Sequence, residues 1–499
     1  MQALSRYVTL VLLLAGLPTL QGCSDGSDNR APAATGTLPI SQPTVADPPD
    51  IGDLFLLTTV FDLEEQGYRQ REFFLSGTAS AFTNVNTLTA EGRWQVEPAD
   101  TADYQTRAVV YRPIAEADFS GTVIFEWLNV TAGFENPPVW GAAHTEILRA
   151  GHAWVGVSAQ REGIEGSDSA IAPFHLKAVN PERYAGLLHP GDSFSYDMFS
   201  QALQAIRAPA GIDMLEGLQA LRFIAVGQSR GAMRLLTYNN AIQPLYTAFD
   251  GILLQSRGGG SAPLAEAPQV PIPTPEVVRI RSDQNTPVLN FQSETDVLWL
   301  RAVNDRQEDS DYIRLWEMPG TSHSDHYVNV IGRLDDGTDP RFAVVVEEDF
   351  VADFLQCDLP MNAGPLPWGA NAALHALESW VSTGQSPPFA DRLELTDDQT
   401  NYRRDDLGLV LGGIRTPYVD APPAILSGTP QAGDRFCRLF GTTELFDAAQ
   451  MATLYVDKAG YVQAVSDEAD KAVEKGFLLA PDAERIKAAA GLQWDMLGM

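Results

Sequence analysis

The chain has 499 residues, 65 of them acidic and 34 basic, giving a formal charge of −31. With 44% hydrophobic and 20% charged residues it has ordinary globular composition, which excludes disorder of the whole chain, and its length allows two or three domains or one large elaborated α/β domain. The acidity argues against nucleic acid as a partner and against a basic patch on anionic lipid, because both surfaces are polyanionic.

At the N-terminus Arg6 precedes the apolar run Val8–Leu17, and Leu20-Gln21-Gly22-Cys23 follows. A basic start, a short apolar segment and small residues at a cut form the pattern of a secretory signal, and this run is too short to span a bilayer as a helix. Its ending resembles a bacterial lipobox, in which the cysteine is lipidated and becomes the first mature residue. The resemblance implies removal of residues 1–22 and a lipid anchor on Cys23. Ser24, rather than Asp, after the cysteine favours delivery to the outer membrane of the bacterial envelope. A plain signal peptide cut nearby, with secretion, is the alternative. Membrane contact is then expected through the anchor alone, since no other segment approaches the roughly 18 apolar residues of a span. Residues 23–50, rich in Ser, Gly, Ala, Pro, Asp and Thr, read as a flexible tether, and 51–499 as the folded body. Export places Cys357 and Cys437 in an oxidising compartment, where these two remaining cysteines are expected to pair; two buried free thiols are the alternative.

Along the body, short apolar strands alternate with helical patterns. Strands are predicted at Arg107–Tyr111, Thr122–Leu128, Ala153–Ser158, Phe223–Val226, Gly251–Leu254, Val288–Gln292 and Ile313–Glu317. Helices are predicted at Trp140–Ala150, Tyr196–Ala208 and Ala232–Ala241. This alternation implies βαβ units, a mostly parallel buried sheet and helices on both faces. From about Leu359 the texture changes. Helical patterns at Ala370–Val381, Ala464–Lys475 and Asp482–Leu492 flank a stretch rich in Gly, Pro and charge. It reads as a C-terminal elaboration on the α/β core.

The stretch Phe223-Ile224-Ala225-Val226-Gly227-Gln228-Ser229-Arg230-Gly231-Ala232 carries the strongest chemical signal. A strand leads into Gly-x-Ser-x-Gly and then into a helix. Such a turn exposes the serine, and its two glycines avoid collisions with the adjoining strand and helix. Ser229 is therefore the candidate nucleophile, against the alternative that it caps the helix. A serine needs a base and an orienting acid. His323 lies just beyond the strand Ile313–Glu317, with His326 as its rival; His375 sits in a helical pattern. The acid should follow the strand Val288–Gln292, where Asp296 is preferred and Glu294 is the alternative. Oxyanion stabilisation needs two backbone N–H donors. These are expected from Arg230, after the nucleophile, and Asn129, in the loop after Thr122–Leu128.

The elbow, Pro287–Val297 and Gly320-Thr321-Ser322-His323 together resemble the α/β-hydrolase superfamily. His189-Pro190-Gly191-Asp192-Ser193-Phe194-Ser195-Tyr196-Asp197, Phe249-Asp250-Gly251 and Gly412-Gly413-Ile414-Arg415-Thr416-Pro417 are similar to one branch of it, the exported alpha/beta hydrolase domain proteins. The resemblance covers roughly residues 50–499. It implies the α/β-hydrolase fold and cofactor-free hydrolysis of an ester, thioester or amide. Arg230 stands where relatives are expected to carry Gln, and the branch does not fix a substrate. A carboxylic ester, small or polymeric, is the expected substrate. Peptide or amide hydrolysis, acyl transfer, and a non-catalytic surface-binding lipoprotein are the alternatives. His323, Asp325 and His326 are not completed into a metal site by a further ligand cluster, so no metal is expected.

Overall fold

The computed structural model describes residues 38–167, 173–348, 351–352 and 355–498. The expected signal peptide, the lipidated Cys23 and most of the tether lie outside the described residues. From Thr37 onward the chain forms one compact unit.

A nine-stranded sheet organises this unit. Its strands are β1 (Thr44–Ala46), β2 (Tyr68–Asn84), β3 (Val96–Pro113), β4 (Thr122–Trp127), β5 (Ala153–Val157), β6 (Arg222–Gln228), β7 (Gly251–Gln255), β8 (Val288–Ser293) and β9 (Ile313–Met318). The spatial order is β1-β2-β3-β5-β4-β6-β7-β8-β9. Pairing is antiparallel from β1 to β5 and parallel from β5 through β4 to β9. β1 corrects the expected tether over its last residues: Leu38 N–H donates to Leu245 O at 2.7 Å, and Thr44–Ala46 pairs with β2. The long β2–β3 hairpin was also not anticipated, apart from Arg107–Tyr111. Much of its length is half exposed, so its apolar residues do not form a continuous run.

The central strands are apolar on both faces because each face carries a helical layer. Val123, Phe125, Phe223, Ala225, Ile252 and Leu254 point into one core, with Phe199 of α2 (Ser195–Arg207) and Leu235 of α3 (Arg230–Thr237). Ile124, Ile224, Val226 and Leu253 point into the other, with Trp140 of α1 (Pro138–Arg149) and Leu374 of α4 (Leu366–Thr383). A parallel sheet needs this double cover, since period-two alternation sends neighbouring residues to opposite faces. α1 starts where it does because the buried Glu126 of β4 accepts from the N–H groups of Val139 and Trp140, at 2.8 and 2.9 Å.

The C-terminal elaboration builds a third core. There Trp368 of α4 meets Tyr461 and Val465 of α5 (Lys458–Glu474) and Ile486 and Trp494 of α6 (Ala480–Met496). It also contains a two-stranded ribbon, β10 (Ala424–Ser427) with β11 (Thr442–Leu445). Cys357 and Cys437 form a disulfide, with sulfurs 2.04 Å apart and a sequence separation of 80. A disulfide is characteristic of oxidising compartments. Among the described residues no helix is long and apolar enough to cross a membrane.

Candidate active site

The turn between β6 and α3 is built as its sequence demands. Ser229 has φ 55° and ψ −119°, a conformation an L-residue holds only under constraint from its surroundings. A Cβ on Gly227 would lie 2.8 Å from the backbone of Gly231, and one on Gly231 would lie 2.7 Å from Trp127 O. Both glycines are therefore required by close backbone approach. The turn leaves Ser229 at the C-terminal edge of the sheet, directly before the N-terminus of α3.

Two other strand ends converge there. His323 Nε2 lies 2.9 Å from Ser229 Oγ. Its Nδ1–H donates to Asp296 Oδ1 at 2.6 Å, which leaves Nε2 as the acceptor for the serine hydroxyl. The other oxygen of Asp296 accepts from the N–H and the hydroxyl of Ser293, both at 2.7 Å. Asp296 is fully buried and His323 nearly so, so the pair is shielded from competing water. Gln228 holds the His323 backbone from the elbow side, donating through Nε2 to the carbonyl of His323 at 3.0 Å. A hydroxyl, an imidazole and a carboxylate in series can transfer a proton away from the hydroxyl while keeping the resulting imidazolium paired.

Glu294 goes elsewhere. Its carboxylate is buried and accepts from Gly320 N at 2.6 Å and Gly428 N at 2.8 Å, tying the loop after β9 to the loop after β10. Burial pushes its pKa up to about 7. His326 is also outside the series: its Nε2 pairs with Glu348 at 2.7 Å. His375 lies on α4 and pairs with Glu146 at 2.9 Å, which raises its pKa. Asp325 is buried and accepts from Val328 N at 2.9 Å, so His323, Asp325 and His326 serve three different partners. Among the described residues no group of three or more His, Cys, Asp or Glu is placed to hold a metal ion.

The expected oxyanion donor Asn129 is corrected. Its backbone N–H donates to Asn136 O at 2.9 Å, and its side-chain amide donates to Gln228 O at 3.0 Å. It thus ties the loop after β4 to the elbow, and its backbone donor is already engaged. Arg230 is the first residue of α3, where backbone N–H groups lack intrahelical acceptors. Its side chain turns outward to Glu162.

Ser229 and His323 open into a cavity of about 330 Å³. Its apolar walls include Phe134, Trp140, Val328, Phe436, Leu439 and Phe440. Sequence reasoning did not find the last three. They flank and include the short helix Cys437–Leu439, and Leu439 O accepts from Ser324 N at 3.2 Å, directly after His323. Nothing in their local pattern distinguishes them from ordinary core residues.

The parallel sheet, the serine on a strand-to-helix turn and the acid and imidazole on the two following strand ends define an α/β-hydrolase architecture. The family model described as alpha/beta hydrolase domain matches residues 32–488, and the chain belongs to that family. No curated protein matches the sequence. Among solved structures, acetyl xylan esterase 1 from Thermoanaerobacterium sp. JW/SL YS485 is 10% identical, with a TM-score of 0.23, over 43% of this chain and 53% of that one. The chain thus spans about half the length of that esterase. A serine hydrolase without a lid from Xanthomonas campestris is 15% identical, with a TM-score of 0.27, over 49% of this chain and 86% of that one. Est1E from Butyrivibrio proteoclasticus, solved with ferulic acid, is 12% identical, with a TM-score of 0.29, over 46% and 92%.

Proposed function

We propose that the protein is a serine hydrolase that cleaves carboxylic esters, with Ser229 as nucleophile, His323 as general base and acid, and Asp296 as the orienting carboxylate. The observation that carries this reading is the unbroken hydrogen-bond series from Asp296 through His323 to Ser229 at the mouth of a cavity. Ser229 Oγ attacks the carbonyl carbon as His323 Nε2 takes its proton. The tetrahedral oxyanion is held by the Arg230 N–H, with the positive end of α3 behind it. The second donor comes from the loop after β4. There the Asn129 N–H is engaged with Asn136 and the Thr131 N–H with Asn129 Oδ1, while Val130 N–H has no partner among the described residues. His323 then protonates the departing alcohol, and water, activated by the same imidazole, releases the acid from Ser229. The reaction needs no cofactor. The disulfide and the lipobox-like N-terminus support residence in the bacterial cell envelope on a Cys23 lipid anchor.

A fluorophosphonate probe on the purified protein, followed by peptide mapping, tests the assignment. Covalent label on Ser229, lost in Ser229→Ala together with p-nitrophenyl ester hydrolysis, is expected. Hydrolysis retained in a folded Ser229→Ala protein overturns it. Comparison of ester with amide substrates, and of water with alcohol acceptors, separates the esterase from a peptidase and an acyltransferase.

A further inference from the structure

The chain is strongly acidic, yet none of the described residues lining the Ser229 cavity is Asp or Glu. Among those lining residues Arg333 supplies the one guanidinium. Arg333 is half-buried on the short turn Gly332–Leu334. Its Nε donates to Thr58 O at 2.8 Å, and its own carbonyl accepts from Val60 N at 2.9 Å. Both contacts use the segment Thr58–Val60, which begins in the stretch Leu57–Thr59 that lines the same cavity. The side chain is therefore held at the cavity wall by one edge, and its two terminal amino groups make no hydrogen bond or ion pair among the described residues.

This contrasts with the other arginines around the site. Arg230 pairs with Glu162, and Arg234 with Asp192 and Glu266. Arg485 takes Asp335, the acid closest to Arg333 in sequence, whose carboxylate also accepts from the Tyr327 hydroxyl and from Gly337 N. Arg207 and Arg314 also have no carboxylate partner, but they spend amino groups on backbone carbonyls. Arg333 differs from these in leaving both amino groups unengaged, and it stands in a cavity lining that contains no acid. A guanidinium with a fixed Nε and free amino groups presents planar donors suited to a carboxylate. Asn129, Asn136 and Asn329 add neutral polar groups to the lining. The negative charge of the remaining surface is screened beyond about 8–10 Å at physiological salt, so this local group decides which ligands the cavity accepts.

We infer that Arg333 is a specificity residue that binds a carboxylate on the substrate, so that the cavity takes esters carrying a free carboxylate in the acyl or the alcohol part. The inference rests on the serine-hydrolase reading above and adds a substrate class to it.

Two matched pairs test it. One is p-nitrophenyl hemisuccinate against p-nitrophenyl butyrate, with the charge on the acyl side. The other is 4-acetoxybenzoate against 4-acetoxybenzamide, with the charge on the alcohol side. The wild-type protein should favour the charged member of at least one pair in kcat/KM by about tenfold, mainly through KM, as expected for a charge-assisted contact. In Arg333→Gln that ratio should collapse to near one, and Arg333→Lys should keep part of it. A ratio at or below one in both pairs, or a preference that survives in Arg333→Gln, overturns the inference. Because Arg333 also holds Leu57–Thr59, the wild-type protein supplies a second measurement. Succinate should inhibit hydrolysis of the neutral ester well below the concentration at which succinamide does; equal inhibition overturns the inference even if the variants fail to fold. If no ester in either pair is cleaved and Ser229 takes no fluorophosphonate, the serine-hydrolase reading itself fails. Cleavage without charge preference defeats the inference about Arg333 alone.

Discussion

Asp296 and Glu294 stand two residues apart after one strand, yet they face different partners. The backbone coils into a helical turn over Thr295–Trp299 directly after Glu294, so the two side chains diverge. Asp296 turns to His323, and Glu294 turns to two backbone N–H groups. Their variants should therefore fail differently. Asp296→Asn should lower kcat by about 10³- to 10⁴-fold, because the amide stabilises the wrong imidazole tautomer, with little change in unfolding free energy. Glu294→Gln replaces one acceptor with a donor facing a buried N–H, so it should lower stability by about 1–3 kcal/mol and affect kcat far less. Steady-state kinetics with a p-nitrophenyl ester and urea unfolding of both variants check this. The sequence placed both acids in the correct loop. It preferred Asp296 but left Glu294 open, because direction depends on backbone dihedrals within a single turn.

Among the elements, the loop that carries His323 depends on the C-terminal elaboration. Asn362 donates to Gly320 O at 3.1 Å and to Ser427 O at 3.2 Å, and its own carbonyl receives His326 N at 2.8 Å. Gly428 sits so close that a Cβ there would lie 2.5 Å from Thr321 O and from Glu294 Cβ. The elaboration thus braces both the imidazole loop and the acid loop. Gly428→Ala should displace them and lower kcat by tenfold or more while the far-ultraviolet circular dichroism stays native. Unchanged kcat would show that the brace is dispensable. Asn362→Ala leaves two buried carbonyls without a partner and should destabilise the protein by about 1–3 kcal/mol in urea unfolding. The change of texture near Leu359 was legible in the sequence. The brace was not, because the contacting residues are up to 134 positions apart and meet only after the sheet has formed.

For the whole molecule, burial sets the response to pH. Glu126, Glu294 and Asp325 are fully buried, and loss of hydration pushes each up to about 7. Asp197, Asp305 and Asp482 are raised by the same cause. The folded state therefore holds protons that the unfolded chain has released above its ordinary carboxylate pKa of about 4. The stability these groups contribute is complete below that value and is lost as pH rises through about 7. The buried His144, His152 and His189, whose pKa values burial lowers, act in the opposite sense below about pH 6.5. The carboxylate contribution is therefore read as a difference: from pH 5 to pH 8 the melting temperature of the wild-type protein should change less favourably than that of Glu294→Gln, by a few degrees in calorimetry. Identical pH dependence in the two proteins would contradict the assignment. The disulfide closes a loop of about 80 residues, which in the chain-entropy picture is worth about 4.5 kcal/mol at most. Cys357→Ser should lower stability in that range. It should also raise KM, because Phe436, Leu439 and Phe440, beside Cys437, form part of the cavity wall.

By itself the sequence determined the parallel sheet and the elbow with its serine. It also determined which loops carry the acid and the imidazole, and which cysteines pair. These features are local: strand length, period, two glycines in a turn and parity of cysteines all act within a few residues or by counting. The tertiary structure alone decided that Asn129 Nδ2–H and N–H are spent on the elbow and on Asn136, leaving neither free for an oxyanion. It also decided that Glu294 is a brace, that the tail forms a wall of the cavity, and that Arg333 faces that cavity without a carboxylate partner among the described residues. Each of these depends on where a side chain points and on what arrives from a distant part of the chain. Packing of three cores against one another fixes those relations, and no short stretch of sequence contains them.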